Sequence, residues 1–279
     1  MNTKMRLFSY NFIETPIHRL SGLTKLICFL LLTFAVMFSY DIRVILAVMA
    51  FSTYVLWVSQ IKYSQIRLMV IYVLIFLITN AIISYFFAPE QGVSIYGTRH
   101  EIAKLFGPYY LTREQLFYQI TKFFKYSSVI PLGIIFLLTT NPSEFASSLN
   151  GIHINYKAAI AVALTLRYFP DIQRDYHDIS LAQQARGLDL SHKAKFTDRF
   201  KNALLIIIPL IFSSLERIDV ISNAMDLRGF GKNKTRTWYT SRKMTRLDYA
   251  ALLVSLLIFI GTICVSVFIN HSRFYNPFL

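Results

Sequence analysis

Apolar residues run almost unbroken through several long stretches of this chain. After position 139 they give way to segments where apolar and polar residues alternate with a helical period. The unbroken runs are 20–40, 42–59, 67–88 and 248–269. Each approaches the roughly 20 apolar residues that a helix needs to cross the hydrocarbon core of a bilayer. A fifth run, 115–138, has the length but carries Lys122, Lys125 and Pro131. Polar groups inside a span are costly and turn toward protein or water, so this helix is expected to pack against other helices and not against lipid. The pattern predicts an all-α integral membrane protein of about five transmembrane helices.

The stretch 139–247 reads differently. In "TTNPSEF", Asn141 suits an N-cap, Pro142 the first helical position, and Glu144 the third, where it can bond back to the cap. A helix is expected from Pro142 to about Leu149, stopping at Asn150-Gly151. In the next segment the apolar part, Ala158 to Leu166, is too short to span. Pro170 allows a kink, by which one helix leaves the membrane plane or bends within it. Beyond it Ile172, Tyr176, Ile179 and Gln183 share a face, and Arg186 follows three residues on. Gly187 supplies the left-handed residue that ends many helices, and the dipole favours a cation at that end.

The plan then repeats. Residues 202–215 form a short apolar run interrupted by Pro209, and the amphipathic continuation carries Leu215, Ile218, Ile221 or Ser222, and Met225 along a stripe. Arg228 comes last and Gly229 stops it. One arginine before a glycine stop is ordinary capping. Two of them, after two like-built helices, point to a pair of like-built docking ends.

Composition sharpens the class. The 279 residues are 54% hydrophobic and 16% charged, against about 25% charged in a soluble domain. Yet 29 Lys+Arg against 15 Asp+Glu leave a formal charge of +14. A basic excess in an apolar chain fits cytoplasmic basic segments of a membrane protein; nucleic-acid binding would leave the long apolar runs unexplained, and none is expected. Lys4, Arg6 and Arg19, then Lys62 and Arg67, mark cytoplasmic segments. The N-terminus is therefore expected inside and the loop 89–114 outside, where Glu90, Glu101 and Glu114 balance Arg99, Lys104 and Arg113. Residues 1–138 hold four spans, 139–247 form a cytoplasmic or interfacial region, and 248–279 a final span and tail with an external C-terminus. Residues 1–19 lack the apolar core of a cleavable signal peptide, so the first run is expected to stay as an anchor. Within the external loop, "GVSIYG" (92–97) reads as a short β-like piece, with a helix from Thr112. Cys28 and Cys264, each in an apolar run, read as packing residues and not as a disulfide or metal pair.

Taken in order, "TTNPSEFASSLNGI", "LTLRYFPDI", "AQQARGL" and "AMDLRGFG…RT" resemble the T component of energy-coupling-factor importers, the transmembrane coupling subunit of prokaryotic vitamin and metal uptake systems. The resemblance implies a multi-pass cell-membrane protein with three kinds of partner: two ABC-type ATPase subunits, alike or different, a small membrane S component that captures substrate, and the lipid bilayer. It implies that the arginine of each motif inserts into a groove on one ATPase. Ala185, Arg186 and Gly187 match the first motif; Leu227, Arg228 and Gly229 match the second, with leucine where the family motif has alanine. Helices at 142–149, 157–186 and 200–228 would be the coupling helices. Their apolar faces, with Leu204, Leu205, Ile208, Ile211, Phe212 and Leu215, would carry the S component. ATP and magnesium would be bound by the partner ATPases and no cofactor by this chain.

Other classes fit less well. No P-loop is present in the sequence, so no ATP hydrolysis by this chain is expected. Asp171, Asp175 and Asp178 have a spacing that can hold Mg²⁺ for diphosphate chemistry, as in membrane prenyl transferases, but no second cluster exists and Arg174 and His177 intervene. A solvated helix face explains them better, and no catalytic or metal-binding residue is expected. A free-standing carrier or channel would want broken helices and ionisable groups at mid-membrane; only Lys122 and Lys125 qualify, and packing or snorkelling accounts for them.

Overall fold

A computed structural model describes residues 15–61, 63–106, 109–188, 196–233, 238 and 244–278. Lys4, Arg6, Lys62 and the trailing Arg236-Thr237 of the last motif lie outside them. The chain divides into two units, residues 1–141 with 242–279, and residues 142–241.

The first unit is built from helices α1 (Pro16–Arg19), α2 (Gly22–Phe38), α3 (Ile42–Val58), α4 (Tyr63–Phe87), α5 (Gln91–Tyr96), α6 (Arg113–Thr139) and α10 (Arg246–Cys264), the last continuing as a π-helical turn over Val265–Ile269. Residues 66–87, 113–139 and 246–269 are long and apolar enough to cross a membrane. The two 17-residue helices α2 and α3 reach about 25 Å each, the short end of the spanning range. α6 is the hub: α2, α3, α4 and α5 all pack on it, while α10 packs on α2. Its lysines, expected against protein, are indeed buried, Lys122 at 8% and Lys125 at 2% exposure. The outward faces of α4 and α10 carry large exposed apolar side chains such as Phe76, Phe87, Leu257 and Phe268, as lipid-facing surfaces must.

Two lysines answer a problem peculiar to membranes. The last carbonyls of a helix have no partner within it, and hydrocarbon offers no water to replace one. Lys25 of α2 donates through Nζ to the Thr139 carbonyl at the end of α6 at 2.7 Å, and to the His18 carbonyl at 3.3 Å. Lys125 of α6 donates to the Met37 carbonyl near the end of α2 at 2.7 Å and sits 3.3 Å over the Tyr40 ring. Each helix thus caps the other's negative end with a cation, which fixes them antiparallel and in register. At the opposite side of α2, the Ser21 N–H donates to Asp248 Oδ1 at 2.8 Å, and Asp248 also closes the capping box with Thr245 that starts α10.

The segment 89–112 departs from expectation. "GVSIYG" is not β-like: its first five residues lie within α5 and Gly97 is the left-handed cap that ends it. Gly92 explains why: α5 lies so close on α6 that only a residue without Cβ fits, and the Gly92 N–H donates to Gln115 Oε1 at 2.7 Å. The strands lie farther on, β1 (Glu101–Phe106) and β2 (Tyr109–Thr112), an antiparallel hairpin and the only sheet among the described residues. Thr112 then caps α6, accepting from the Gln115 N–H at 3.3 Å, at the start expected for that helix.

The C-terminal tail is clamped beside this hairpin. Phe274 stacks on Tyr40 at 4.6 Å, and Phe278 packs edge-on against Tyr96 and Phe117. Burial pushes the Tyr96 hydroxyl up to about 12. Asp41, fully buried, accepts from Arg43 at 2.8 Å and from Asn270 Nδ2 at 2.9 Å, tying the start of α3 to the tail. Burial alone would raise the Asp41 carboxyl, but the bonds from Arg43 and Asn270 outweigh it and hold it below the usual carboxylate range. A carboxylate so depressed stabilises the fold at every pH above its unfolded value near ~3.9 and loses that contribution only as pH falls through the lower folded value. The tail is therefore expected to stay clamped at pH 5 and to loosen only below about pH 4. Asp41→Asn should loosen it at neutral pH, read as faster trypsin cleavage after the exposed Arg273; an unchanged cleavage rate would contradict the tie.

Candidate functional site

The second unit consists of α7 (Pro142–Gly151), α8 (Tyr156–Ala185) and α9 (Phe196–Leu227). α7 covers the segment expected from its cap signals, and α8 and α9 continue unbroken through Pro170 and Pro209. Three contacts fix how the long helices lie. Gln183 Nε2 donates to the Leu205 carbonyl at 3.3 Å, Arg217 pairs with Asp175 at 2.7 Å, and Phe230 meets Tyr156. As the numbers fall along α8 they rise along α9, so the pair is antiparallel.

The packed faces take only part of each periodic line. On α8 the inward line holds Asp175, Ile179 and Gln183, while Ile172 and Tyr176 are 38% and 49% exposed. On α9 it holds Ile206, Arg217, Ile221 and Met225, while Leu215 and Ile218 stand out at 50% and 57%. The Asp175–Arg217 pair lies in this seam. Asp171 faces Arg174 at 3.4 Å on its own helix. No group of three or more potential metal ligands occurs among the described residues.

Both Arg-Gly ends are closed by the same bonds. At the first, the Gly187 N–H donates to the Gln184 carbonyl at 2.9 Å and the Leu188 N–H to the Gln183 carbonyl at 3.0 Å. At the second, the Gly229 N–H donates to the Asp226 carbonyl at 2.9 Å and the Phe230 N–H to the Met225 carbonyl at 3.0 Å. These are the paired bonds of a Schellman ending. The glycine in each takes the left-handed conformation, φ +89° at Gly187 and +69° at Gly229, which costs a residue with Cβ. Arg186 and Arg228 are the cap residues and are exposed, as are Ala185 and Leu227, the latter at 90%. A guanidinium placed there presents five donors in a rigid fork beyond the last turn.

The antiparallel pairing puts the two ends far apart. Arg228 lies by the beginning of α8 and Arg186 at its end; 30 residues separate them along that helix, roughly 45 Å at the α-helical rise. Between them α9 exposes Leu204, Leu205, Ile208, Ile211, Phe212 and Leu215, at 38–63%, an apolar strip left open among the described residues of this unit.

Beyond the glycine stops the two ends differ. Past Arg228, the Phe230 ring packs edge-on to Tyr156 with centroids 5.8 Å apart, and Gly231, at φ +88°, passes over Lys157. Trp238 Nε1 then donates to Asn150 Oδ1 at 3.0 Å, joining this segment to α7. Sequence reasoning missed Tyr156 and Phe230; the phenylalanine between two glycines in "RGFG" was the available signal.

A family model described as CbiQ, cobalt transport protein, matches residues 14–239. The energy-coupling factor transporter transmembrane protein EcfT of Streptococcus equi subsp. equi is 25% identical over 257 residues, 89% of this chain and 92% of that protein. The EcfT of Lactococcus lactis subsp. cremoris is 30% identical over 53% of this chain and 58% of its own length. That of Limosilactobacillus fermentum is 33% identical over 38% and 40%.

Proposed function

We propose, for a chain that belongs to the CbiQ family and is a transmembrane (T) component of an energy-coupling factor transporter, that its two arginine-tipped helices each dock on one ABC-type ATPase subunit. The observation that carries this reading is the pair of identically bonded ends, each presenting an exposed arginine, at opposite ends of an antiparallel helix pair. Two equivalent plugs about 45 Å apart suit two subunits of a dimer and not one groove. An arginine fork keeps its charge in a partly desolvated groove and bonds carboxylates or carbonyls two at a time. Leu227 stands where the first end has Ala185, so the second plug adds an apolar contact.

The ATPases would bind ATP and magnesium and perform hydrolysis; this chain contributes no catalytic group. Their closure would displace Arg186 and Arg228 relative to one another, and packed helices move as bodies. The apolar strip of Leu204, Leu205, Ile208, Ile211, Phe212 and Leu215 would carry a small substrate-capturing membrane subunit and tilt it as the helices shift. The substrate class is a vitamin or a metal ion, held by that subunit. The N-terminus lies on the cytoplasmic side and the C-terminus outside. A free-standing carrier is the weaker reading, because its two candidate lysines are engaged. Lys125 donates to the Met37 carbonyl, and Lys122 lies 6.0 Å from the centre of the Tyr118 ring.

Crosslinking tests the docking directly. In a background lacking Cys28 and Cys264, Ala185→Cys and Leu227→Cys should each crosslink to an ATPase in native membranes, and together should capture two copies. Failure of both positions to reach any ATPase would overturn the proposal.

A further inference from the structure

We propose that the Tyr156–Phe230 ring pair is a positioning device that aims Arg228 and links the two docking ends mechanically. This rests on the docking reading above. The pair joins the residue two places beyond Arg228 to the first residue of α8. Tyr156 is 5% exposed, so its ring is anchored in the unit and not displayed for a partner. The Phe230 backbone is itself part of the helix stop, through its N–H to the Met225 carbonyl. The residue that packs on Tyr156 is thus the same one that closes the turn carrying Arg228. Gly231 follows in a left-handed conformation, φ +88°, beside Lys157 of the same first turn of α8. Farther along the chain, Trp238 is bonded to Asn150 of α7.

These contacts form a path. When the ATPase at Arg228 moves, the ring pair passes the displacement to the first turn of α8, and α8 delivers it to Arg186 at its far end. The end at Arg186 has a different neighbour: its stop is followed by Leu188, with no ring pair across to another helix among the described residues. The two arginines are thus alike in bonding but unlike in attachment. Arg228 is seated on the helix that ends in Arg186, and no reciprocal seat ties Arg186 to α9 by rings among the described residues. The Tyr156 hydroxyl takes no part, being buried without a hydrogen-bond partner among the described residues, so the ring alone is needed.

The experiment uses the complete transporter in liposomes, with ATP hydrolysis and substrate uptake measured on the same preparation and spin labels at positions 157 and 232. Phe230→Leu and Tyr156→Leu keep both arginines. They are expected to lower substrate moved per ATP by about 3- to 10-fold, the scale of losing an aromatic pair, and to broaden the label distance. Tyr156→Phe and Phe230→Tyr keep the rings and should match the wild type in both readouts. Loss of ATPase binding in Phe230→Leu that Phe230→Tyr restores would equally support the device. Wild-type coupling and an unchanged distance in both leucine variants would overturn it, as would Phe230→Tyr behaving like Phe230→Leu. Failure of the docking reading looks different: ATPases would remain bound after both arginines are removed.

Discussion

Replacing Arg186 and Arg228 together by alanine should leave the protein folded in the membrane and strip it of its ATPases, abolishing substrate uptake. The fold survives because main-chain bonds close both helix ends: the donors are the N–H groups of Gly187, Leu188, Gly229 and Phe230. At each helix end alanine removes a cation from the negative pole, worth about 0.3–1 kcal/mol at an exposed position. What it removes from docking is larger. Deleting one member of a buried, hydrogen-bonded charge pair at an interface costs about 2–5 kcal/mol, or roughly 30- to several thousand-fold in affinity. Either single variant should keep weakened association through the remaining end, and the double variant should lose it. Arg→Lys at either site should recover part of the binding, since the charge persists but the planar fork does not. Co-purification of ATPases with each variant, beside uptake in proteoliposomes, reads the result. Intact association in the double variant would sink the docking proposal.

Gly92→Ala is expected to be the most damaging small substitution in the first unit. A Cβ at this position would lie 2.5 Å from the Glu114 carbonyl oxygen and 2.6 Å from both Gln115 Cα and Gln115 N. All three are main-chain atoms of α6, so no side-chain rotation relieves the clash. α5 would have to lift, breaking the bond from the Gly92 N–H to Gln115 Oε1 and disturbing the one from Gln115 Nε2 to the Ala88 carbonyl. Overpacking of this kind costs about 3 kcal/mol. Gly133→Ala is the control, since nothing lies within 4 Å of a Cβ there and alanine favours a helix by about 1 kcal/mol over glycine. Thermal unfolding in detergent should show Gly92→Ala melting well below the wild type and Gly133→Ala at or above it. Equal melting of all three would mean that α5 does not sit on α6 as described.

Much of this is legible in the sequence, for reasons that particular residues make plain. Runs of apolar residues as long as a bilayer is thick have few alternatives, so the spans emerge within a few residues of their bounds. Arg-Gly at the end of an amphipathic run is a strong local stop, and both stops fall where expected. The helical faces are less legible. Periodicity puts Ile172, Tyr176, Ile179 and Gln183 on one line of α8 and Leu215, Ile218, Ile221 and Met225 on one line of α9, without saying which part of a line is packed. In this unit the seam takes Asp175 and Arg217, paired at 2.7 Å, beside Ile179, Ile221 and Met225, while Ile172, Tyr176, Leu215 and Ile218 face out. Periodicity identifies a stripe but not which side of it meets the neighbour.

"GVSIYG" misleads for a tertiary reason. Its alternation is too short to separate strand from helix, and the close seat on α6 decides in favour of a helix. The hairpin signal lies just beyond, in "EIAKLFGPYYLT", where two apolar stretches flank a Gly-Pro turn dipeptide. Lys122 and Lys125 stand out because charge is conspicuous in an apolar run, and Lys25, nearer the start of its run, does not. Which carbonyls Lys125 and Lys25 reach depends on helix ends 88 and 114 positions away, a relation that no local pattern encodes.

The antiparallel lie of α8 and α9 also says what kinds of change this region can absorb. The gap between the arginines is set by a count of residues and by very little else. Substitutions along the exposed faces leave that count alone, and chains that share barely a quarter of their residues can therefore keep the same gauge. An inserted or deleted turn cannot be absorbed in this way. It shifts one arginine by about 5 Å along the helix axis, while every neighbouring side chain remains chemically sound. Here length sets the gauge and composition is the negotiable part.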